Sequence, residues 1–150
     1  GGPGFYLLNI EQTAHSPHYY YHKYDPEDQK SHRRSIYRFV VRSQPNPFMT
    51  TLDCADSSQS TPRRNETLTA LQALSLLNNK FTLSMSQQFA ERLTNEVSGM
   101  ENQVRAGFEL VTGRSPNTEE HRLLLEYADK HGTPNLCRSL FSLSEFAFID

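Results

Sequence analysis

Helical periodicity runs almost unbroken from residue 66 to residue 150, and this pattern constrains the fold more than any other feature. Apolar residues recur there at helical spacing, and most runs end at a glycine. Residues 1–65 read differently. They hold most of the prolines and histidines and all but one of the tyrosines. Their continuous apolar pattern is too sparse to fold alone, so they are expected to form a loop-rich cover on the helical half. The expected result is a single, mainly α domain over residues 1–150. It would be a compact antiparallel assembly of about five helices with a small two-stranded β element.

The helices are well marked. The first should begin between Asn65, a good N-cap, and Thr69, which makes a capping box with Gln72. Leu68, Leu71, Leu74 and Leu77, with Ala70, Ala73 and Leu76, leave it little polar surface, so it reads as central and buried. A second runs from about Lys80 to Val97, with Phe81, Met85, Phe89 and Leu93 along one stripe and Gly99 ending it. A third, from about Glu101 to Thr112, turns Val104, Phe108 and Val111 inward and stops at Gly113. Asn117 and Glu120 frame a fourth, with Leu123, Leu124, Tyr127 and Ala128 as its core face and Gly132 as C-cap. Thr133 caps a fifth, with Pro134 at the favoured first position, burying Leu136, Cys137, Leu140 and Phe141. Short connections imply antiparallel neighbours.

In the first half, the segments 5–10 and 35–42 suit strands. The second alternates Ile36, Arg38, Val40 and Arg42 with Tyr37, Phe39 and Val41, although a helix also fits so short a run. Pro45 and Pro47 end it either way, and a turn or short helical piece follows from Phe48 to Asp53.

Composition narrows the partners. A net charge of -2 argues against bulk nucleic-acid binding and against a polybasic membrane anchor. No apolar run approaches the roughly 20 residues of a membrane span. Gly1-Gly2-Pro3-Gly4 reads as a cut in a linker, so the chain is expected to be the C-terminal part of a longer one whose export signal lies elsewhere. Cys54 and Cys137 match neither a haem-attachment motif nor a zinc pair. They would form one disulfide in an oxidising compartment or, as the preferred reading, two small buried apolar residues.

Several stretches occur together in order: Arg33-Arg34-Ser35-Ile36-Tyr37-Arg38-Phe39, Arg42-Ser43, Pro47-Phe48 and Leu52-Asp53-Cys54-Ala55-Asp56. Thr61-Pro62-Arg63-Arg64-Asn65 and Leu71-Gln72-Ala73-Leu74-Ser75-Leu76-Leu77-Asn78 follow, then Gly113-Arg114-Ser115-Pro116, Asn135-Leu136-Cys137 and Ser144-Glu145-Phe146. This order, over about residues 30–150, resembles the C-terminal domain of unknown function of large planctomycete proteins with cytochrome-c-like modules, the planctomycete PSD family. Residues 5–30 match that pattern poorly, so the Tyr/His stretch reads as particular to this protein. The resemblance implies an exported parent, periplasmic or at the cell surface, with haem c in an upstream module. It carries no activity and no catalytic residue.

His15, His18 and His22 have a spacing that suits a metal, with His32 beyond; on a helix His18 and His22 would share a face. Pro17 and the run Tyr19-Tyr20-Tyr21 favour extended or loop backbone instead, and no acidic residue sits among them, so no metal site is expected. Tyr19, Tyr20, Tyr21 and Tyr24 offer ring faces that suit sugars or protein partners; the preferred reading is that two or three cover the helical core. Asp53 and Asp56 stand near Arg63 and Arg64, with Arg33 and Arg34 upstream. Bidentate ion pairs pinning loop to helices are expected, the alternative being an anion site at Arg63 and Arg64.

No hydrolase elbow, P-loop, dinucleotide fingerprint or catalytic-cysteine signature occurs, so no catalytic residue and no cofactor is assigned to this segment. The leading reading is a non-catalytic structural or interaction module of an extracytoplasmic protein, docking its parent chain or another extracytoplasmic protein. The rival is part of an extracytoplasmic hydrolase or carbohydrate-binding protein, with the Tyr/His loop as a platform for polysaccharide. An electron-transfer contact for the upstream haem module follows from the resemblance alone. A concave pocket joining tyrosine rings to a buried carboxylate would separate the first two readings.

Overall fold

The computed structural model describes residues 3–55, 60, 67 and 69–147, and the chain divides into two compact units, Gly1–Gln72 and Ala73–Asp150. Helix accounts for most of the described residues. No helix among them is long and apolar enough to cross a membrane.

In the first unit, β1 (Asn9–Gln12) and β2 (Pro17–Tyr20) pair antiparallel, with Asn9 opposite Tyr20 and Gln12 opposite Pro17. Thr13 closes the turn: its backbone N–H and its hydroxyl both donate to the Ser16 carbonyl. Pro17 is tolerated because it opens an edge strand, where its missing N–H costs no ladder bond. The strands therefore lie elsewhere than the alternation of 35–42 suggests. Ser35–Tyr37 is a 3-10 turn, and this region meets the N-terminal segment through a parallel bridge of Phe5 with Arg38 and a ring contact of Tyr6 with Phe39. There Phe5 N–H donates to the Tyr37 carbonyl at 3.1 Å and Phe39 N–H donates to the Phe5 carbonyl at 2.8 Å. Large residues alternate in 35–42, but Ile36 is 78% exposed while Val41, in the opposite set, is buried.

α1 (Pro47–Thr51) is capped by Asn46, whose side chain accepts from the Met49 N–H at 3.1 Å, with Pro47 in the first turn. Among the described residues of this unit, Phe5, Leu8 and Val41 are the buried apolar ones.

α2 (Ala70–Asn78) runs across the division between the units. The capping box forms as read: Gln72 N–H donates to Thr69 Oγ1 at 3.2 Å and Thr69 N–H to Gln72 Oε1 at 2.9 Å. Its burial is the reverse of the expectation. Leu71 and Leu74 are 62% and 56% exposed, and only Gln72 is buried. A helix apolar on nearly every side does not say which side is covered. Asn65 and Leu68 lie outside the described residues.

The second unit is built from α3 (Lys80–Glu96), α4 (Met100–Thr112), α5 (Thr118–His131), α6 (Thr133–Leu140) and α7 (Ser144–Ala147). α3 and α6 share the most extensive contact, and α4 and α5 both pack on α6. Val104, Phe108, Ala128, Leu136 and Leu140 form the main core, and Ala90, Leu93 and Cys137 a second cluster.

The inward stripe of α3 is Thr82, Ser86, Ala90 and Leu93, one position on from Phe81, Met85 and Phe89, which are only part-buried. Small residues line the closest approach while large ones flank it. Gly107 on α4 marks a similar approach: a Cβ there would stand 3.0 Å from Leu93 Cδ1 and 3.5 Å from Leu140 Cδ1. On α5, Ala128 is buried and Leu124 packs on the core as expected, but Leu123 and Tyr127 are 51% and 38% exposed and Leu125 packs on the core in their place. Thr133 is the first residue of α6, and Gly132, at φ 83°, takes the cap position. Both cysteines are free thiols, Cys137 fully buried and Cys54 partly so.

Candidate functional site

The β1–β2 hairpin and the residues that follow it form an open cleft of about 450 Å³, lined by Pro17 to His22 together with Gln44 and Pro47. Strand alternation sets His18 and Tyr20 on one face, and their rings lie within 25° of parallel with centroids 6.4 Å apart. His22 meets Tyr20 edge-on at 5.7 Å. Lys23 Nζ sits 3.9 Å above the Tyr20 ring and pairs with Glu11 at 2.5 Å. Tyr21 donates its hydroxyl to the Gln44 carbonyl, and Gln44 Nε2 donates to the Tyr19 carbonyl at 3.3 Å, which ties the far wall of the cleft to β2. Burial, with the neighbouring Tyr19, pushes the Tyr21 hydroxyl up, opposed by the charge of Arg38. The Tyr21 hydroxyl therefore stays neutral over the ordinary pH range.

Three of the four tyrosines singled out from sequence therefore line one cleft. Tyr24 does not; it is half-buried, and burial raises its hydroxyl pKa. His18 and His22 line the cleft, while His15 is exposed in the β1–β2 turn. Among the described residues, no three His, Cys, Asp or Glu side chains stand together as a metal set. His32 is placed by a 2.9 Å contact of Nε2 with the Pro26 carbonyl.

Asp53 is part of a different cluster. It sits at φ 54°, just past α1, a left-handed position that aspartate tolerates better than most residues. Its Oδ2 accepts from the Thr67 hydroxyl at 2.6 Å, the Thr67 N–H at 2.8 Å and Gln72 Nε2 at 2.9 Å. Those bonds, the Thr67 hydroxyl foremost, hold its carboxyl below the usual range. Arg33 donates to the Pro3 carbonyl and lies 4.8 Å over the Tyr37 ring. Arg34 is exposed. Asp56, Arg63 and Arg64, with the ion pairs and the anion site expected of them, lie outside the described residues.

Sequence reasoning missed two arginines. Arg114 Nη1 and Nη2 bind Glu120 at 2.9 and 2.8 Å, while its Nε and Nη2 bind Glu145 at 3.0 and 2.8 Å. The guanidinium also lies 4.8 Å over the Phe108 ring. Arg114 and the capping Asn117 N–H bring Glu120 down to about 2. Arg138 donates to the Leu77 carbonyl at 2.7 Å and to Asn78 Oδ1 at 3.0 Å, holding α6 to the end of α2. The signal lay in the ordered stretches themselves: Gly113-Arg114-Ser115-Pro116 and Ser144-Glu145-Phe146 meet in space. These clusters tie helices together, and none of their residues lines the hairpin cleft. Cys137 is equally remote from chemistry, its thiol pushed up to about 12 by burial.

No curated protein and no solved structure matches the chain. A family model matches residues 2–128, so the Tyr/His hairpin falls inside the family region, contrary to its expected place outside it, and the match stops within α5. On that match over most of its length, the chain belongs to PSD1, the family described as protein of unknown function (DUF1553).

Proposed function

We propose that this chain is a non-catalytic recognition module of a longer protein, and that the hairpin cleft is its recognition surface. One observation carries the reading. The cleft joins tyrosine and histidine rings with one amide, and none of its lining residues is a carboxylate, thiol or serine. Such a surface can hold a ligand through ring faces and hydrogen bonds, yet offers no carboxylate, thiol or serine nucleophile and no carboxyl acid–base pair. Asp53, which accepts three hydrogen bonds, is held ionised by Thr67 and Gln72, which suits a structural anchor and not a general acid. The parent would be extracytoplasmic, of planctomycete type, with a haem-c module upstream; that part of the proposal rests on the family resemblance alone.

Prolonged incubation with chromogenic glycosides and esters tests the non-catalytic half. Release no faster than in buffer is expected. Turnover that Asp53→Asn abolishes while the fold stays intact would overturn the proposal in favour of a hydrolase.

A further inference from the structure

Resting on the recognition reading above, we infer that the hairpin cleft takes a neutral saccharide. Charge is the first argument. The cleft is lined by no Lys, Arg, Asp or Glu, and the adjacent Lys23 and Glu11 are paired with each other at 2.5 Å. A neutral ligand fits such a surface without leaving a charge desolvated and unpaired.

Hydrogen-bonding type is the second argument. Tyrosine hydroxyls, a neutral imidazole and the Gln44 amide all both donate and accept, as sugar hydroxyls do. An extended proline-rich peptide presents carbonyl acceptors and few donors, so it would leave the acceptor half of these groups without partners. The polar wall is also set in advance. The Tyr21 hydroxyl is fixed on the Gln44 carbonyl, and the Gln44 amide nitrogen on the Tyr19 carbonyl, which orients the Gln44 Oε1 acceptor. Groups already held in place lose less freedom when a ligand arrives.

Shape is the third. The exposed His18 ring and the Tyr20 ring stacked with it both line the cleft, and they offer apolar surface to the C–H groups of a pyranose. The volume of about 450 Å³ falls within the range of small-ligand sites, roughly 300 to 1,000 Å³.

Tyrosine fluorescence gives the test, because the chain has no tryptophan to mask it. The whole chain is titrated with cello-, manno-, laminari- and galacto-oligosaccharides, and separately with decaproline. At least one oligosaccharide should change the emission saturably, and His18→Ala should weaken it by about tenfold, equivalent to about 1.4 kcal/mol. Tyr20→Ala should weaken it further; His18 is exposed, so its variant keeps the test meaningful if the Tyr20 variant misfolds.

Binding by none of the oligosaccharides overturns the inference. So does an affinity that a folded His18→Ala variant leaves unchanged. Saturable binding of decaproline alone would sink the saccharide while leaving a recognition module. An oligosaccharide recovered shortened would keep the saccharide and remove the non-catalytic reading.

Discussion

Gln72 Nε2 donates to Asp53 Oδ2 at 2.9 Å, joining the residues just past α1 to the first turn of α2. The same nitrogen reaches the Thr67 hydroxyl at 2.8 Å, while Gln72 Oε1 accepts from the Thr69 N–H. One buried amide thus serves a helix cap and a carboxylate together. Gln72→Ala should lower stability by about 1 to 2 kcal/mol, from the lost cap and the under-bonded carboxylate. Chemical denaturation of the variant checks this, and an unchanged midpoint would show that the amide contributes nothing.

The Asp53 carboxyl is held below its unfolded value by Thr67 and then Gln72. A depressed carboxyl stabilises the fold above its unfolded pKa, about 3.9, and that contribution is lost as pH falls through the lower folded value. Carboxyl carbon NMR should find Asp53 titrating below free aspartate. A midpoint at or above the free value would contradict the hydrogen bonding described.

Arg114 grips Glu120 and Glu145 with both sides of its fork, a geometry that a lysine ammonium does not reproduce. Arg114→Lys should therefore lower the melting temperature although charge is conserved. Glu120, at about 2 in the native chain, should titrate nearer the ordinary range in the variant. Its contribution to stability is present above about 4.3 and fades as pH drops toward 2. An unmoved Glu120 midpoint in the Lys variant would show that the fork is not the cause.

Leu136 and Leu74 should separate sharply. Leu136 is 0% exposed in the main core, so Leu136→Ala should cost about 2 to 5 kcal/mol. Leu74 is 56% exposed, and Leu74→Ala should stay within about 0.5 kcal/mol of the parent. Equal losses would mean that the face of α2 carrying Leu74 is covered after all. Gly107→Val belongs with Leu136: its side chain would press on Leu93 and Leu140, at a cost of about 1 to 3 kcal/mol.

These contrasts show what the sequence made legible. Local signals held: the Thr69/Gln72 and Asn117/Glu120 capping boxes form, and Gly113 ends α4 at φ 77°. Those features depend on residues three or four apart. What depends on distant partners was read poorly. Leu71 and Leu74 look like core because they are leucine, and Thr82 and Ser86 look like surface because they are polar, yet the closeness of helix approach reverses both. Pro17 hid β2, since proline argues against a strand everywhere but at its first edge position. In the candidate site, the tyrosine and histidine cluster was visible as composition. Gln44, which builds the cleft's far wall from 23 residues beyond Tyr21, gave no sign.

The central claim is that the hairpin cleft recognises a ligand without transforming it. An amide-resolved NMR titration of the whole chain with the tightest-binding neutral oligosaccharide tests it most directly. Shifts confined to residues 17–22 and 44–47, with the oligosaccharide recovered at full length, are the predicted result. Shifts centred on the helices of the second unit, or a ligand recovered cleaved, would contradict it.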